Sequence, residues 1–514
     1  MTDNADPLKN SLSSSDVASS GVDAQLAADS TQLPEASEVT PVAIATVRNY
    51  QVGQGNQEEK KKPRLFWWVA AGMVGIVLLS FLFFTWQMSL VKPEPTTTPT
   101  SEKIVLNYWG LWEQSITLVE ALEGFERENP GVTVKYTKKD ITNYRQDLAA
   151  AFDYAGMNAP DVFRYHASWR SMFDDNLAPV PEAVISKDKF SQQYYPVMSE
   201  QLTDLDGQLK GMPLMYDSLA LVYNRDIFAK NKAEVPQNWP QLRLLAKKLT
   251  QEDPETGRIL LSGVAMGLAD NIDFATDIIG LLGAQRGINW ANPDAKLAMD
   301  AILYYASFAK NSESKTWDEW MGNSTQAFAE GRVAMIFAPS WLIHDILKLN
   351  PVLPIGVAPV PQLNETQVAD WATYWVEGVN KATAYQDAAW RLLQYFSRDE
   401  VLEKLNYEQS VSRDFGEIYP KKTLADKLAS DHYVHAYLVN ANKAVGFPLN
   451  DKTFDHGINE AMGQMLRLSL EQALADSQDD QQILAAINNE KAFNNKWGET
   501  LAEYHYLSSK NNEK

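Results

Sequence analysis

The sequence predicts an α/β body carried behind a single membrane-spanning helix. Residues 65–88, LFWWVAAGMVGIVLLSFLFFTWQM, run without a charge. From Lys103 onward, short β-branched and aromatic runs alternate with amphipathic helical stretches, the pattern of a layered α/β body. Residues 1–59, rich in Ser, Ala, Asp, Thr and Gln, are nearly empty of aromatics. Such a tail buries too little apolar surface to offset chain entropy, so it is expected to be a disordered cytoplasmic segment.

The 24-residue apolar run would be about 36 Å long as a helix, enough to cross a hydrocarbon core of about 30 Å. Trp67, Trp68 and Trp86 stand near its ends, at headgroup level. Lys60, Lys61, Lys62 and Arg64 precede it and only Lys92 follows closely, so the N-terminus is expected in the cytoplasm and the rest outside. A cleaved signal peptide has a shorter apolar run and a small-x-small site, whereas this one ends in QMSLVKPEP. The expected plan is a tail at 1–59, the helix with its basic flank at 60–90, a linker at 91–102 and an extracytoplasmic body at 103–514. Three prolines in VKPEPTTTPTS favour an extended linker.

Within the body, IVLNYW (104–109) reads as a buried strand. ITLVEALEGFER follows with Leu118, Leu122 and Phe125 on one helical face, ended by Asn129-Pro130-Gly131. VTVKY completes a β-α-β unit. A helix from Tyr144 to Tyr154 then leads to a strand at Ala159-Pro160-Asp161-Val162-Phe163. This alternation implies a mostly parallel sheet, with ligands at the carboxyl ends of its strands.

Composition narrows the function. A net charge of -20 argues against nucleic acid as a partner, because phosphate backbones select basic surfaces. With no cysteine, the chain has no disulfide, no thiolate metal site and no lipidated cysteine anchor. It lacks a GxSxG elbow, an HExxH helix and a P-loop. His432 and His435 could share a helix face, but no third ligand motif stands near them, so neither metal nor cofactor is expected. A glycan-active enzyme needs only two well-placed carboxylates, which leaves that alternative open. The paired Tyr304-Tyr305 lie within the helix-like run AKLAMDAILYYASFAK, where a core role for one of them is the default reading.

The ordered motifs NYWG, NPGVTVKY, APDVFRY, GMPLMYDSLALVYNRDIF, VPQNWPQLRLLAKKL, AFAEGRVAMIFAPSW, IGVAPVPQ and EGVNKATAYQDAAWRLLQYFS make residues 103 to about 506 similar to a known family. They resemble the sugar-type, maltose-binding-protein-like extracellular solute-binding proteins, the receptor subunits of bacterial ABC importers. The resemblance implies a two-lobed periplasmic-binding-protein-like fold with hinge crossings near Met215, near Val357 to Pro361 and near residues 400–410. The N-lobe would take about 103–215 and 360–402, and the C-lobe about 216–358 and 408–508. It also implies a carbohydrate ligand, an ABC permease partner and no catalysis. A sensor relaying occupancy through the cytoplasmic tail is a further alternative.

A sugar offers apolar C–H faces and a rim of hydroxyls, so its cleft needs aromatic platforms and a few polar groups. The loop after the first strand supplies Trp109, Trp112 and Glu113, with Gln114 beside them. Tyr165, His166 and Trp169 follow the PDVF strand, with Ser168 between them. The resemblance places Tyr216 and Asp217 at an acidic cleft position after the first crossing, and Trp341 at a stacking position. Trp375 and Glu377 are candidates from the second N-lobe segment, and Phe454 and His456 from the last C-lobe segment. For the tryptophans the competing reading is core packing, for Asp217 a helix cap, and for Trp341 a hydrophobic staple.

Overall fold

The computed structural model describes Phe83 and residues 103–113, 115–153, 159–310, 314–475 and 490–507. Apart from Phe83, the expected membrane span, its tail and its linker lie outside the described residues. Among the described residues, no helix is long and apolar enough to cross a membrane.

Strand β1 (Ile104–Gly110) alternates sides, burying Leu106, Tyr108 and Gly110 while Val105 stays exposed. Helix α1 (Ser115–Glu128) buries Leu118, Ala121 and Phe125. It ends where the Asn129 side chain donates to the Phe125 carbonyl and Gly131 takes φ 94°, a conformation glycine adopts without a Cβ clash. Strand β2 (Val132–Lys138) then pairs in parallel with β1, from Ile104↔Val132 to Gly110↔Lys138. Helix α2 (Tyr144–Asp153) leads to β3 (Val162–His166), which is buried throughout and parallel to the other edge of β1. This strand begins later than the sequence pattern indicated, since Pro160 has no N–H to give to a ladder.

A 3-10 turn, Ala167–Phe173, and two short helices bring the chain to its first crossing. There Met212 bridges to Glu377, Tyr216 to Ile418 and Ser218 to Ala372. The chain continues into β4 (Ala220–Asn224), the centre of a second sheet, and later into helices α3 (Ala275–Gln285) and α4 (Ala295–Lys310). Strand β5 (Met335–Ala338) and, after helix α5 (Ser340–Leu349), strand β6 (Ile355–Ala358) flank β4, each antiparallel to it. Residues 357–361 end β6, and the return runs beside the first crossing instead, where Leu219 N donates to Trp371 O and Thr373 N to Asp217 O.

Strand β7 (Trp375–Val379) then joins β3 antiparallel and completes a first sheet of order β7-β3-β1-β2. Helices α6 (Gln386–Phe396) and α7 (Asp399–Ser412) follow. Residues 400–410, expected to hold a third crossing, lie inside α7. This helix stays on the first lobe through ion pairs from Lys404 to Glu120 and from Arg398 to Glu128. The chain leaves later: Lys421 still holds Asp399 at 2.8 Å, and His432 is the residue that meets the Ile355 carbonyl of β6. Helices α8 (Ile458–Leu474) and α9 (Glu490–Glu503) pack on α4.

Candidate functional site

One end of the first sheet gathers the carboxyl ends of β1 and β3 with the start of β7. Trp109, part-buried there, carries the Lys139 ammonium 4.1 Å from its ring centroid. Trp112, also part-buried, is pinned on three sides. Trp375 meets it edge to face at 5.2 Å, the Arg164 guanidinium lies 5.2 Å from the indole, and its Nε1 donates to Glu417 Oε1 at 3.0 Å. Trp375 also packs edge to face on His166 at 5.1 Å and on Trp169 at 5.0 Å, which makes one interlocked aromatic cluster.

That cluster rests on buried charge. Arg164 is paired with Glu113 and, at 2.6 Å, with Glu377, which stands opposite it in the β3–β7 register. The Tyr108 hydroxyl donates to Glu377 Oε1 at 3.0 Å. Burial pushes the Glu377 carboxyl up, while Arg164 opposes that shift. Glu113 and Glu377, expected as ligand acceptors, therefore hold a buried cation, as a carboxylate taken out of water requires. A cavity of about 20 Å³ lies beside them, lined in part by Glu113, Arg164, Gln409 and Glu417. It has room for one water.

His166 is buried, with Nδ1 2.7 Å from the Ser168 hydroxyl and Nε2 3.2 Å from the Thr373 hydroxyl. Burial lowers its pKa to about 3, so the ring is neutral at ordinary pH. Tyr165, Trp169 and Tyr216 have no exposed surface to offer a ligand. Tyr165 fits against Gly211, where a Cβ would fall 2.5 Å from its hydroxyl oxygen. Tyr216 packs between Tyr195 and Tyr374 on the crossing strands.

Asp217 does cap a helix, but a distant one. Its carboxylate accepts from Ser340 N at 3.0 Å, from the Ser340 hydroxyl at 2.7 Å and from Trp341 N at 3.4 Å. Helix α5, preceded by Pro339, has no cap of its own. Burial pushes the Asp217 carboxyl up to about 7 against the lowering effect of these donors. The first turn of α5 presents Trp341, 37% exposed, resting edge to face on Phe274 at 5.9 Å. Contacts thus run without a break from Trp112 through Trp375, His166, Thr373 and Asp217 to Trp341, from the first lobe to the second across the crossing strands.

The loop before α8 adds a further aromatic. Phe454 is 42% exposed, and Lys452, Phe454 and His456 have φ of 61°, 53° and 43°. Backbone of this hand in non-glycine residues costs about 1 kcal/mol or more each. The loop is held from the first lobe: Arg145 donates to the carbonyls of Asp455 at 2.6 Å and His456 at 2.8 Å, and Asn459 to the Ser168 hydroxyl at 2.8 Å. A polar pocket of about 310 Å³ opens beside this loop, lined by Asp270, Asp273, Asp451, Lys452 and Arg467 with Ala269 and Ile272. His432 lies against the Ile355 carbonyl, and no group of three or more acidic or histidine side chains among the described residues could hold a metal.

Sequence reasoning missed Arg164, Glu417, Phe274 and Arg145. Only Arg164 carries a sequence signal: an arginine inside the apolar run VFRY needs a buried carboxylate partner.

Comparison with known proteins identifies the family and the fold. The family of bacterial extracellular solute-binding proteins matches residues 120–409. The chain belongs to that family. Among relatives, the maltodextrin-binding protein MdxE of Bacillus subtilis is 28% identical over 291 residues, covering 54% of this chain and 64% of MdxE. The sn-glycerol-3-phosphate-binding periplasmic protein UgpB of Rhizobium meliloti is 25% identical over 249 residues, covering 45% of this chain and 56% of UgpB. The match therefore spans less than two thirds of either relative. Among solved structures, the sugar-binding protein MalE from the phytopathogen Xanthomonas citri superposes with a TM-score of 0.62 at 20% identity, over 78% of this chain and 98% of MalE. The fold is that of the two-lobed α/β binding proteins, as the ordered motifs led one to expect.

Proposed function

We propose that this protein is the membrane-tethered, non-catalytic receptor of an ABC importer, and that it takes an oligosaccharide of the maltodextrin kind between its two lobes. The observation that carries the reading is an aromatic wall on each lobe: the part-buried Trp112 on the first, seated against the buried Trp375, and the exposed Trp341 on the second. Rings of this kind stack on pyranose faces, and the adjoining polar pocket offers carboxylates and cations to hydroxyls. Trp109 and Phe454 extend the two walls. Glu113, Tyr165, His166, Trp169, Tyr216, Asp217 and Glu377 act beneath them as support. The uncharged run at 65–88 supports a single-pass anchor with a cytoplasmic N-terminus, which would keep the receptor at high effective concentration near its permease.

Titration calorimetry of the full chain in detergent tests the reading. Maltotriose is expected to bind saturably and come back intact, with sn-glycerol 3-phosphate far weaker. Shortened sugar products would make the protein an enzyme, and preference for the phosphate would overturn the carbohydrate assignment. Trp341→Ala is expected to weaken maltotriose binding about tenfold or more, as a lost stacking platform does. Its unfolding should change little, because the ring is already 37% exposed.

A further inference from the structure

Residues 414–418, just beyond α7, touch Trp112, helix α5 and the first crossing strand. The Asp414 carboxylate lies 3.3 Å from His344 Nδ1, and the Phe415 ring stacks on the His344 imidazole at 3.9 Å. His344 stands on α5, three residues beyond Trp341. The Glu417 carboxylate accepts the Trp112 indole N–H at 3.0 Å. The Ile418 carbonyl accepts from Tyr216 N on the first crossing strand, next to the Asp217 that caps α5. The segment itself is fastened to the first lobe by α7. Gln409 accepts from Glu417 N at 2.9 Å, and Asn406 donates to the Glu417 carbonyl at 2.8 Å.

Resting on the oligosaccharide reading, we infer that residues 414–418 form a spacer that fixes the gap between Trp112 and the helix carrying Trp341, with Glu417 and Phe415 as positioning residues. Neither needs to touch the ligand. Glu417 fixes the ring plane of Trp112 from its N–H edge, the one side that neither Trp375 nor Arg164 constrains. Phe415, buried and backed by Tyr433 at 5.3 Å, fixes the rotation of α5. A platform held within a fraction of an ångström binds better than a free one, because its ordering is complete before the ligand arrives. The spacer would thereby select ligands by the thickness that two stacked faces can enclose.

A double-mutant cycle on maltotriose affinity tests this. Glu417→Ala is expected to weaken binding about tenfold, the usual scale for a lost hydrogen bond to a charged group. In the Trp112→Ala background the same change should cost less than about twofold, since there is no platform left to position. Glu417→Gln retains an acceptor for the indole N–H and should restore most of the affinity, which a loss of folding would not allow. Phe415→Ala should likewise lose its effect in the Trp341→Ala background. A full effect of Glu417→Ala without Trp112, no effect with it, or no rescue by Gln overturns the spacer while leaving the oligosaccharide reading intact. Failure of the unsubstituted chain to bind maltotriose overturns both.

Discussion

The two walls of the proposed site are built in opposite ways. On the first lobe, Trp112, Trp169, His166 and Trp375 interlock edge to face and sit on a buried Glu–Arg–Glu triplet, so each ring is fixed by its neighbours. On the second lobe, Trp341 and Phe454 are exposed; one rests on Phe274 and the other rides a loop of left-handed residues tied down by Arg145. The difference teaches where order comes from: a preformed surface needs buried partners, while an adaptable one gives them up.

The severest way to break the rigid wall is to remove its cation. Arg164→Met leaves Glu113 and Glu377 buried without a counter-charge and is expected to cost about 3–5 kcal/mol in denaturant unfolding. A loss under 1 kcal/mol would mean that water reaches those carboxylates and the wall is not rigid.

A milder probe of the same wall is acid. With the folded pKa of His166 near 3 and the unfolded value near 6.5, the unfolded chain takes up a proton first as pH falls. The stability due to the neutral ring is full above pH 6.5 and is lost on the way down to pH 3, at up to about 1.4 kcal/mol per pH unit. Asp217 and Asp370, raised by burial to about 7 and about 8, work in the opposite sense, gaining stability as pH falls. The measurement is therefore the difference between the unsubstituted chain and His166→Gln in thermal unfolding from pH 7 to pH 4. A flat difference would show that His166 takes up its proton in the fold at the same pH as in the unfolded chain, and so is not held neutral by burial.

The smallest effect belongs to the exposed wall. Asp217→Ala removes the cap from α5 and is expected to cost about 1–2 kcal/mol in unfolding. It should also weaken maltotriose binding by loosening the first turn under Trp341. Unchanged affinity would show that Trp341 keeps its place without the cap.

Local pattern made the opening β-α-β unit legible, because IVLNYW, the Leu118–Leu122–Phe125 face and VTVKY each report their own conformation. Position at strand ends made Trp109 and Trp112 candidates, and the family resemblance added Trp341. What the sequence hid was pairing across distance. Arg164 meets carboxylates 51 and 213 residues away, and Asp217 caps a helix 123 residues on, so neither partner shows in a local window. The third crossing was misplaced for a related reason: DEVLEKLNYEQSVS is one unbroken helix, and its packing and the ion pair from Lys404 to Glu120 on α1 show which lobe it serves.

The absence of cysteine from the whole chain has a practical consequence. Ile116 on the first lobe and Val352 on the second are 75% and 87% exposed. A cysteine at each would give the protein its only two thiols. Paired spin labels there would report the distance between the lobes in a single sample, with and without maltotriose, and turn the chain into its own ruler.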